Sequence, residues 1–509
     1  MKLPATTEVL IIGAGPVGLT LAGLLAKQGV ASVVVERRTG ELRAPAAHVL
    51  RNGPRGVLAL LGIDAQIEAK IPPLPMHYIT WCTTLGGPEL GRIDLRKGRE
   101  DRLDRPWTNL SQNMLEPMLA DAVSGNGLTR IVRGATCVGV SQEPDLASAQ
   151  IVDEDGVEYL VEADWIVAAD GASSRTRKTL GIELEGVGPL GQFFMAHFKA
   201  DLSAWIDHRP GPIFWIMHPD APGTLIVHDK TNSHVFMTPM SGVEGERDTI
   251  SERLAAALGI DVDVEILAID QWTPYSQVAS RYRDGRIFLL GDAAHRFPPS
   301  GGLGLNTGLM EAHNLAWKLA LVQSGRASPD FLDSYERECR PSASANAQDS
   351  LHNAMQLGLI SGAMGGCFTL EAMVERLAAM TPDEQGALAD AIEAQRSHFM
   401  SDGRFPEPGG DLDCAPAMRW PTDYAGFELH SSQPQLWAES CDSVTAQLGV
   451  PVVLHSLEAA SRADSPATFL ARPDGIVIWQ AEDEPASSHA LQAALARVLG
   501  KALQPVGAS

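Results

Sequence analysis

A glycine-rich turn between two apolar strands lies near the start of the chain and constrains its fold more than any other segment. Residues 8–12 predict a strand, the segment GAGPVG at 13–18 a tight turn, the apolar residues up to about 28 a helix, and residues 31–36 a second strand. This order of elements predicts a parallel strand–helix–strand unit that opens an α/β domain.

Each glycine of this turn has its own expected role. Gly13 makes the tight turn, Gly15 lets a pyrophosphate approach the backbone, and Gly18 permits close contact between helix and strand. Glu36, which lies 18 residues after Gly18, can accept hydrogen bonds from ribose hydroxyls. The unit therefore predicts a dinucleotide site.

The same segment has a rival interpretation as a membrane span, since Val9–Ala26 holds eighteen residues without a charge. A spanning helix would have to run through Gly13, Gly15, Pro16 and Gly18, and Glu36 would have no role in it. We therefore expect no membrane partner.

A second glycine-rich segment, GDAAHRFPPSGGLGLN at 291–306, lies between a predicted strand at 286–290 and a predicted helix at 309–321. The strand brings Asp292 to its end, where a carboxylate suits a ribose hydroxyl. Small residues and bare amides at a helix N-terminus suit an electron-rich, partly negative group. The segment predicts a bound dinucleotide whose reactive ring lies close to backbone amides.

Composition and charge narrow the class of protein. The chain has 509 residues, enough for two or three domains, and its formal net charge of −23 argues against nucleic acid or an anionic membrane as the main partner. Six cysteines are scattered without a CxxC pair or zinc-like spacing. We therefore expect a reducing, cytoplasmic location and no metal site.

The pattern of elements changes several times along the chain. Strand–helix character marks residues 1–75, 108–185 and 278–404, which we assign to one nucleotide-binding domain with added helices in its last part. Alternating strands at 186–277, joined by residues 76–107, predict an inserted antiparallel β-sheet that forms a substrate domain. Residues 405–509 predict a small α/β appendage.

Together these motifs resemble the single-component FAD-dependent aromatic hydroxylases, the group typified by para-hydroxybenzoate and phenol hydroxylases. The segment DGASSRTR at 170–177 matches the family's DG motif, and Gly291-Asp292 matches its GD motif. The branch with a C-terminal thioredoxin-like domain is the most similar, although the CxxC of thioredoxin is missing. The resemblance implies an α/β fold with a Rossmann-like FAD-binding domain, an inserted antiparallel β-sheet substrate domain and a C-terminal thioredoxin-like α/β domain.

The resemblance also implies which residues contact FAD. They are expected to be Gly13, Gly15, Val17, Gly18, Glu36, Arg37, Arg43, Gln112, Val138, Asp170, Asp292, Pro299, Gly302, Leu305 and Asn306. Asp170 would also cap the helix that follows it. Arg175, Arg177 and Lys178 form either a solvated helix face or a nicotinamide-phosphate contact. The turn RPDG at 472–475 is expected to serve an interface or packing role.

The activity that the resemblance implies is oxygenation of an aromatic ring. NADH or NADPH reduces FAD, oxygen adds to give a flavin hydroperoxide, and its distal oxygen passes to a phenolic or polycyclic substrate. Baeyer–Villiger oxygenation by the same fold stays open, as do, at lower rank, a non-oxygenating FAD reductase and an FAD-binding sensor. The choice of NADH or NADPH and a homodimer also stay open.

A catalytic base is sought among the histidines of the inserted sheet, because an imidazole suits deprotonation of a phenol. His197, His218 and His228 lie in these strands, and His228 is the first candidate, against the alternative of a core histidine. Apolar side chains favour a neutral, moderately large aromatic or polycyclic substrate; the expected walls are Phe194, Phe198, Trp215, Met217 and Met237.

Overall fold

The computed structural model describes residues 3–40, 45–71, 77–97, 107–243, 245–364, 367–400, 403–406, 424, 426–457, 468–481 and 488–501. Its helices are α1 (Pro16–Lys27), α2 (Asn52–Leu60), α3 (Asp64–Lys70), α4 (Gln112–Ser124), α5 (Arg175–Thr179), α6 (Ser203–Ile206), α7 (Ile250–Leu258), α8 (Gly304–Gln323), α9 (Asp333–Ala363), α10 (Leu370–Ala379), α11 (Pro382–Glu393), α12 (Arg396–Met400), α13 (Ala438–Leu448) and α14 (Ser488–Val498).

Within these described ranges, the strands form five sheets. They are β1 (Thr6–Ile12), β2 (Ser32–Glu36), β3 (Val49–Arg51), β4 (Tyr78–Cys82), β5 (Glu89–Asp94), β6 (Trp107–Asn109), β7 (Thr129–Arg133), β8 (Ala135–Glu143), β9 (Leu146–Asp153), β10 (Glu158–Ala168), β11 (Leu184–Val187), β12 (Phe193–Lys199), β13 (Ile213–Ile216), β14 (Gly223–Val227), β15 (His234–Pro239), β16 (Glu265–Trp272), β17 (Ser276–Ala279), β18 (Arg283–Asp284), β19 (Ile287–Leu289), β20 (His295–Arg296), β21 (Phe427–Ser431), β22 (Val452–Ser456), β23 (Thr468–Ala471) and β24 (Val477–Gln480).

The largest sheet has a parallel centre in the order β19-β10-β1-β2-β7, with β18 and the β8–β9 hairpin added in antiparallel fashion. Strand β1 is buried from Val9 to Ile12, as a strand covered on both faces should be. Helix α1 packs against α8 and α4 on one side of this sheet. The predicted Rossmann-like α/β fold is confirmed.

The prediction that Val9–Ala26 does not span a membrane agrees with this fold, because the segment divides between β1 and α1. No helix in the described ranges combines the length and the apolar character that crossing a bilayer requires.

A seven-stranded sheet has the order β16-β12-β15-β14-β13-β4-β5. Its neighbouring strands are antiparallel, as predicted, except that β13 runs parallel to β4. The exception arises because β4 and β5 come from an early part of the chain and the other strands from residues 193–272, so that no hairpin joins β4 to β13.

The two faces of this sheet are covered by different helices. The tryptophan face (Ile79, Trp81, Ile213, Trp215) shares a core with the C-terminal part of α9 and with α10–α12. The phenylalanine face (Phe194, Phe198, Phe214, Phe236) is the opposite one, and Phe198, Phe214 and Phe236 share a core with α7. Because successive residues of a strand alternate between faces, each strand contributes to both cores.

The C-terminal region is an α/β unit, as predicted. Its sheet has the order β22-β21-β23-β24, with β21 parallel to β22 and antiparallel to β23, and α13 and α14 contact each other. Its buried side chains, including Phe427 and Leu470, belong to the same apolar core as Val9 and Leu309 of the nucleotide-binding domain. The thioredoxin-like designation stays a prediction.

Candidate functional site

The glycines of the first turn are placed where only glycine fits or where space is open. Gly13 has φ +112°, and its N–H donates to the carbonyl of Val35 at 2.8 Å. A Cβ at Gly13 would lie 2.2 Å from the carbonyl oxygen of Ala169, and one at Gly18 would lie 2.2 Å from that of Gly13. A Cβ at Gly15 would meet no protein atom within 4 Å, so the turn is open to a ligand there.

Glu36 closes this turn from the end of β2. One carboxylate oxygen accepts from the backbone N–H of Ala14 at 2.9 Å, and the other accepts from the backbone N–H and Nε of Arg38 at 2.9 and 3.1 Å. Burial alone would raise the pKa of Glu36, but these hydrogen bonds and the Arg38 charge lower it. The carboxylate is therefore ionised and held in place.

Arg38 extends this arrangement to α4. Its guanidinium lies 3.4 Å from Glu116, which also accepts from the side chain of Gln112 at 2.8 Å. Arg37, the predicted cofactor contact, is exposed to solvent at the end of β2. Two adjacent arginines are indistinguishable in the sequence, and the contacts of Arg38 became visible only once β2 and α4 were placed side by side.

Val138 occupies a β-bulge in β8. Cys137 pairs with Ile151 and Gly139 with Gln150, so Val138 is the extra residue that is left out of the ladder. Its backbone groups are thereby free of strand pairing, as a backbone contact to an adenine ring requires. The contact itself stays a prediction, and Arg43 lies outside the described residues.

The DG motif caps a helix and reaches the second glycine-rich segment. Asp170 accepts from the backbone N–H and the hydroxyl of Thr176 at 3.1 and 3.0 Å, as the capping prediction requires. Its other oxygen, Oδ1, is buried and has no hydrogen-bond partner within the described ranges. Arg177 is buried and donates to the carbonyl of Ala293 at 3.0 Å, whereas Arg175 and Lys178 are exposed. The solvated-face interpretation is therefore wrong for Arg177.

The GD motif forms a turn of 3-10 helix after β19, and a buried acid supports it. The N–H of Gly291 donates to Oε2 of Glu311 at 2.9 Å, and the same oxygen lies 3.3 Å from Nε2 of His295. Both side chains are completely buried. Burial disfavours the imidazolium, but the Glu311 carboxylate outweighs it and raises the pKa of His295.

Asp292 follows directly after this supported glycine. Its side chain is accessible to solvent, yet protein atoms enclose it on its other sides, as at the floor of a cleft. This enclosure, with the nearby Glu311 charge, raises its pKa. The carboxylate thus faces the cleft, where a ribityl or ribose hydroxyl could reach it.

Val17 joins the two glycine-rich segments. A Cβ at Gly291 would lie 3.3 Å from the Val17 side chain, and one at Gly308 would lie 2.7 Å from it. The start of α1 therefore touches both the GD turn and α8. The two segments, nearly three hundred residues apart, form one cleft.

The loop before α8 is fixed by Asn306 and Arg51. The Asn306 amide donates to the carbonyls of Val49 at 2.8 Å and Gly302 at 2.6 Å, and it accepts from the backbone N–H of Arg51 at 2.8 Å. Gly302 has φ +65° and donates to the carbonyl of Pro299 at 3.0 Å. The side chain of Asn306 is thus used to shape the loop, which leaves its backbone N–H for the predicted ring contact.

Arg51 was missed in the sequence analysis. Its buried guanidinium donates to the carbonyls of Gly301 and Phe399, both at 2.6 Å, and so links the loop to α12. The first turn of α8, formed by Gly304, Leu305 and Asn306, follows this loop directly. Amides of a first helical turn have no intrahelical acceptor and remain available to a ligand.

The residues of this cleft suit FAD. A glycine with open space beside it suits a pyrophosphate, and the first-turn amides of α8 suit an electron-rich ring. The carboxylate that faces the cleft and the unpartnered Oδ1 of Asp170 both suit hydroxyl groups. Contacts between individual residues and the cofactor stay predictions.

His228 lies where the tryptophan face meets this cleft. Its ring makes an edge contact with His48, with ring centroids 5.3 Å apart, and His48 precedes Val49, whose carbonyl binds Asn306. Asn109 contacts Nδ1 of His48 at 3.0 Å and donates to the carbonyl of Val227 at 2.9 Å. The histidine pair therefore lies beside the loop of the predicted ring site.

Both imidazoles are neutral at pH 7. Burial lowers the pKa of His48 to about 4, and burial together with neighbouring histidines lowers the pKa of His228 well below its ordinary value. Neither ring nitrogen of His228 has a hydrogen-bond partner in the part of the chain that the structure describes. Both nitrogens are also buried, so the ring keeps unused hydrogen-bonding capacity inside the protein.

The predicted pocket walls do not lie on one face. Trp215 stacks on Trp81 with centroids 6.4 Å apart, and Met237 is on the same face by cross-strand register. Phe194 and Phe198 point to the phenylalanine face, away from the cleft. The expectation that they line the pocket is wrong, because alternation along β12 separates them from Trp215.

Comparison with known proteins agrees with this geometry. Residues 6–350 match the FAD binding domain family, and residues 423–502 match the family described as aromatic-ring hydroxylase, C-terminal. The chain is 33% identical to 2,4-dichlorophenol 6-monooxygenase of Cupriavidus pinatubonensis over 70% of this chain and 64% of that relative. It is 30% identical to aklavinone 12-hydroxylase RdmE of Streptomyces purpurascens over 97% and 99% of the two chains.

A solved structure shows the same fold. The flavin-dependent monooxygenase PieE in complex with FAD and substrate superposes with a TM-score of 0.87 at 27% identity, covering 98% of this chain and 99% of that chain. The turn at 13–18, the GD motif and the loop before α8 lie within the matched FAD binding domain. The chain belongs to the FAD-dependent monooxygenases of the aromatic-ring hydroxylase family.

Proposed function

We propose that this enzyme uses NADH or NADPH and O₂ to hydroxylate a phenolic or polycyclic aromatic substrate. The observation that carries the proposal is that the cleft built by both glycine-rich segments meets the apolar tryptophan face at His48 and His228. FAD, when bound, supplies the redox chemistry: it accepts a hydride and activates oxygen for transfer of one atom.

The protein's part in this reaction is to hold the cofactor and to shield the reacting atoms from water. Glu36 and Asp292 would accept hydrogen bonds from hydroxyl groups of the cofactor, and the backbone amides of Leu305 and Asn306 would stabilise negative charge on its ring. Trp81 and Trp215 present apolar surface next to the loop, which excludes water from the reacting atoms.

His228 is proposed to position and deprotonate the phenol. A neutral imidazole can accept a hydrogen bond from a phenolic hydroxyl, and the phenolate that forms beside it would itself favour the imidazolium. A buried site whose histidines are uncharged also favours a substrate without a carboxylate. Both the dichlorophenol and the aklavinone named for the relatives are compatible with this class.

The test measures cofactor oxidation and oxygen incorporation together. The FAD-loaded protein is mixed with NADH or NADPH under ¹⁸O₂ and a panel of simple phenols and polycyclic phenols. A phenolic product that carries one ¹⁸O atom supports the proposal. A product that hydrolyses as an ester or lactone would instead assign Baeyer–Villiger oxygenation, and substrate-stimulated oxidation without ¹⁸O in any product would assign a reductase.

We also propose a cytoplasmic location, because the five cysteines in the described ranges are all unpaired, as expected in a reducing compartment. We propose separately that the protein is a homodimer, and sedimentation of the FAD-loaded protein would test this.

A further inference from the structure

Two histidines and a glutamate converge on one face of the C-terminal sheet. We propose that Glu428, His430 and His455 bind a divalent transition-metal ion. The site lies on a different sheet from the FAD-binding cleft, and the expectation of no metal, which rested on the spacing of cysteines, did not consider it.

Strand pairing brings the three side chains together. Strands β21 and β22 are parallel, and His430 is directly opposite His455 in their register. Glu428 precedes His430 by two residues, so both lie on the same face of β21. All three ligand atoms lie within 4.8 Å of one another.

The distances are close to those of a coordinated ion. Nε2 of His430 is 3.0 Å from one oxygen of Glu428, and Nε2 of His455 is 3.8 Å from the other. A metal about 2.0–2.2 Å from each ligand in tetrahedral geometry requires ligand atoms about 3.3–3.6 Å apart. The 3.0 and 3.8 Å distances lie on either side of this spacing, and the ligand atoms, all within 4.8 Å of one another, reach it by small movements of the two histidine rings.

The three side chains of the site differ in how tightly the protein packs around them. The His430 ring stacks between His455 and Phe469, with both centroid distances 4.8 Å. The Glu428 side chain is 3% exposed, whereas that of His455 is 24% exposed and lies nearer the surface. A positive ion between these groups would stabilise the buried carboxylate.

The ligand set defines the class of metal. Two imidazoles and one carboxylate suit Zn²⁺, Co²⁺, Ni²⁺ or Cu²⁺, whereas Mg²⁺ and Ca²⁺ prefer oxygen ligands alone. Three protein ligands would leave at least one coordination position for water.

Calorimetry on the full-length, FAD-loaded protein tests the proposal. After treatment with a chelator and dialysis, the protein is titrated with Zn²⁺, and Co²⁺ gives a second readout through its visible ligand-field absorption. We expect one equivalent to bind, and at least about tenfold weaker binding in Glu428→Gln and His455→Gln, since even residues behind the ligands contribute that much.

His489→Gln is the matched control, because His489 is an exposed histidine of the same domain on α14. It should bind the metal as the wild type does. FAD content and circular dichroism show whether each variant is folded. If Glu428→Gln does not fold, His455→Gln still tests the proposal, because His455 is only half-buried. Absence of stoichiometric binding in the wild type, unchanged affinity in a folded His455→Gln, or an equal loss in His489→Gln would each overturn the proposal.

Discussion

The guanidinium of Arg472 donates to both carboxylate oxygens of Glu338, at 3.0 and 2.8 Å, and so fastens the C-terminal domain to α9. Both side chains are almost completely buried. Asp474, from the same turn, accepts from Nε1 of Trp317 at 3.1 Å, and Lys318 lies 2.9 Å from Glu338. These contacts confirm the interface role expected for the turn at 472–475, and they connect the domain to the helix whose first turn faces the FAD-binding cleft.

We expect Arg472→Met to destabilise the protein by about 3–5 kcal/mol, because it leaves Glu338 buried beside a single cation. Chemical denaturation gives the free energy of unfolding. The double variant Arg472→Met with Glu338→Gln should recover part of the loss. Arg337→Gln, on the exposed side of α9, is the control and should change stability little. A loss below about 1 kcal/mol in Arg472→Met would contradict the role of the pair.

The same pair predicts acid sensitivity. Burial would raise the pKa of Glu338, but Arg472 and Lys318 outweigh it and lower the pKa well below the ordinary 4.5. A carboxylate whose pKa falls on folding contributes stability that is complete above 4.5 and is lost as pH decreases toward the folded value. The stability difference between wild type and Glu338→Gln should therefore shrink below pH 4.5. A difference that stays constant from pH 7 to 3 would disprove this linkage.

The contribution of the His295–Glu311 pair to stability should have the opposite dependence on pH. Because Glu311 raises the pKa of His295, the pair's contribution is complete below the ordinary value of 6.5 and is lost as pH rises through the raised value. Melting temperatures measured from pH 6 to 9 should fall in the wild type more than in His295→Gln. His208→Gln, at an exposed position, should follow the wild type. Identical slopes in wild type and His295→Gln would argue against a charged pair.

Asp292→Asn should weaken FAD binding by about 10- to 150-fold, the loss of about 1.5–3 kcal/mol expected for a hydrogen bond to a charged group. Recovery of flavin fluorescence on dilution measures the dissociation constant. Asp330→Asn replaces an exposed aspartate and serves as the control. A variant at position 292 that keeps full FAD occupancy and activity would remove Asp292 from the proposed site.

His228→Ala should slow hydroxylation by about 10²- to 10⁴-fold, the range for a general base, while reduction of FAD by NAD(P)H stays near the wild-type rate. Stopped-flow absorbance separates the two steps. His197→Ala changes another histidine of the same sheet, one that contacts Ser233 at 3.3 Å, and should leave hydroxylation unaffected. Equal effects of both substitutions, or a matching loss in FAD reduction, would indicate a structural role for His228.

The motifs could be predicted because their information is local. The turn at 13–18, the acid at the end of β2 and the presence of a helix after the second glycine-rich segment each follow from a few neighbouring residues. The start of that helix was predicted at 309, whereas α8 begins at Gly304. The order of these motifs along the chain predicted the α/β fold and a dinucleotide site, and the family resemblance implied that the dinucleotide is FAD.

The partners of these motifs could not be predicted, because they are set by packing between distant segments. Which elements lie side by side decides three of these contacts. They are the hydrogen bond of Glu36 with Arg38 and not Arg37, the hydrogen bond of Glu311 with Gly291, and the ring contact of His48 with His228.

The sequence alone thus determined the nucleotide-binding fold, since strand, turn and helix signals are encoded in short segments, and its family motifs implied the cofactor. Tertiary structure decided which face of each strand meets the cleft, as it separated Phe198 from Trp215 and brought His430 next to His455. The physical reason is that periodicity defines two faces of a strand, whereas only register and packing determine what each face contacts.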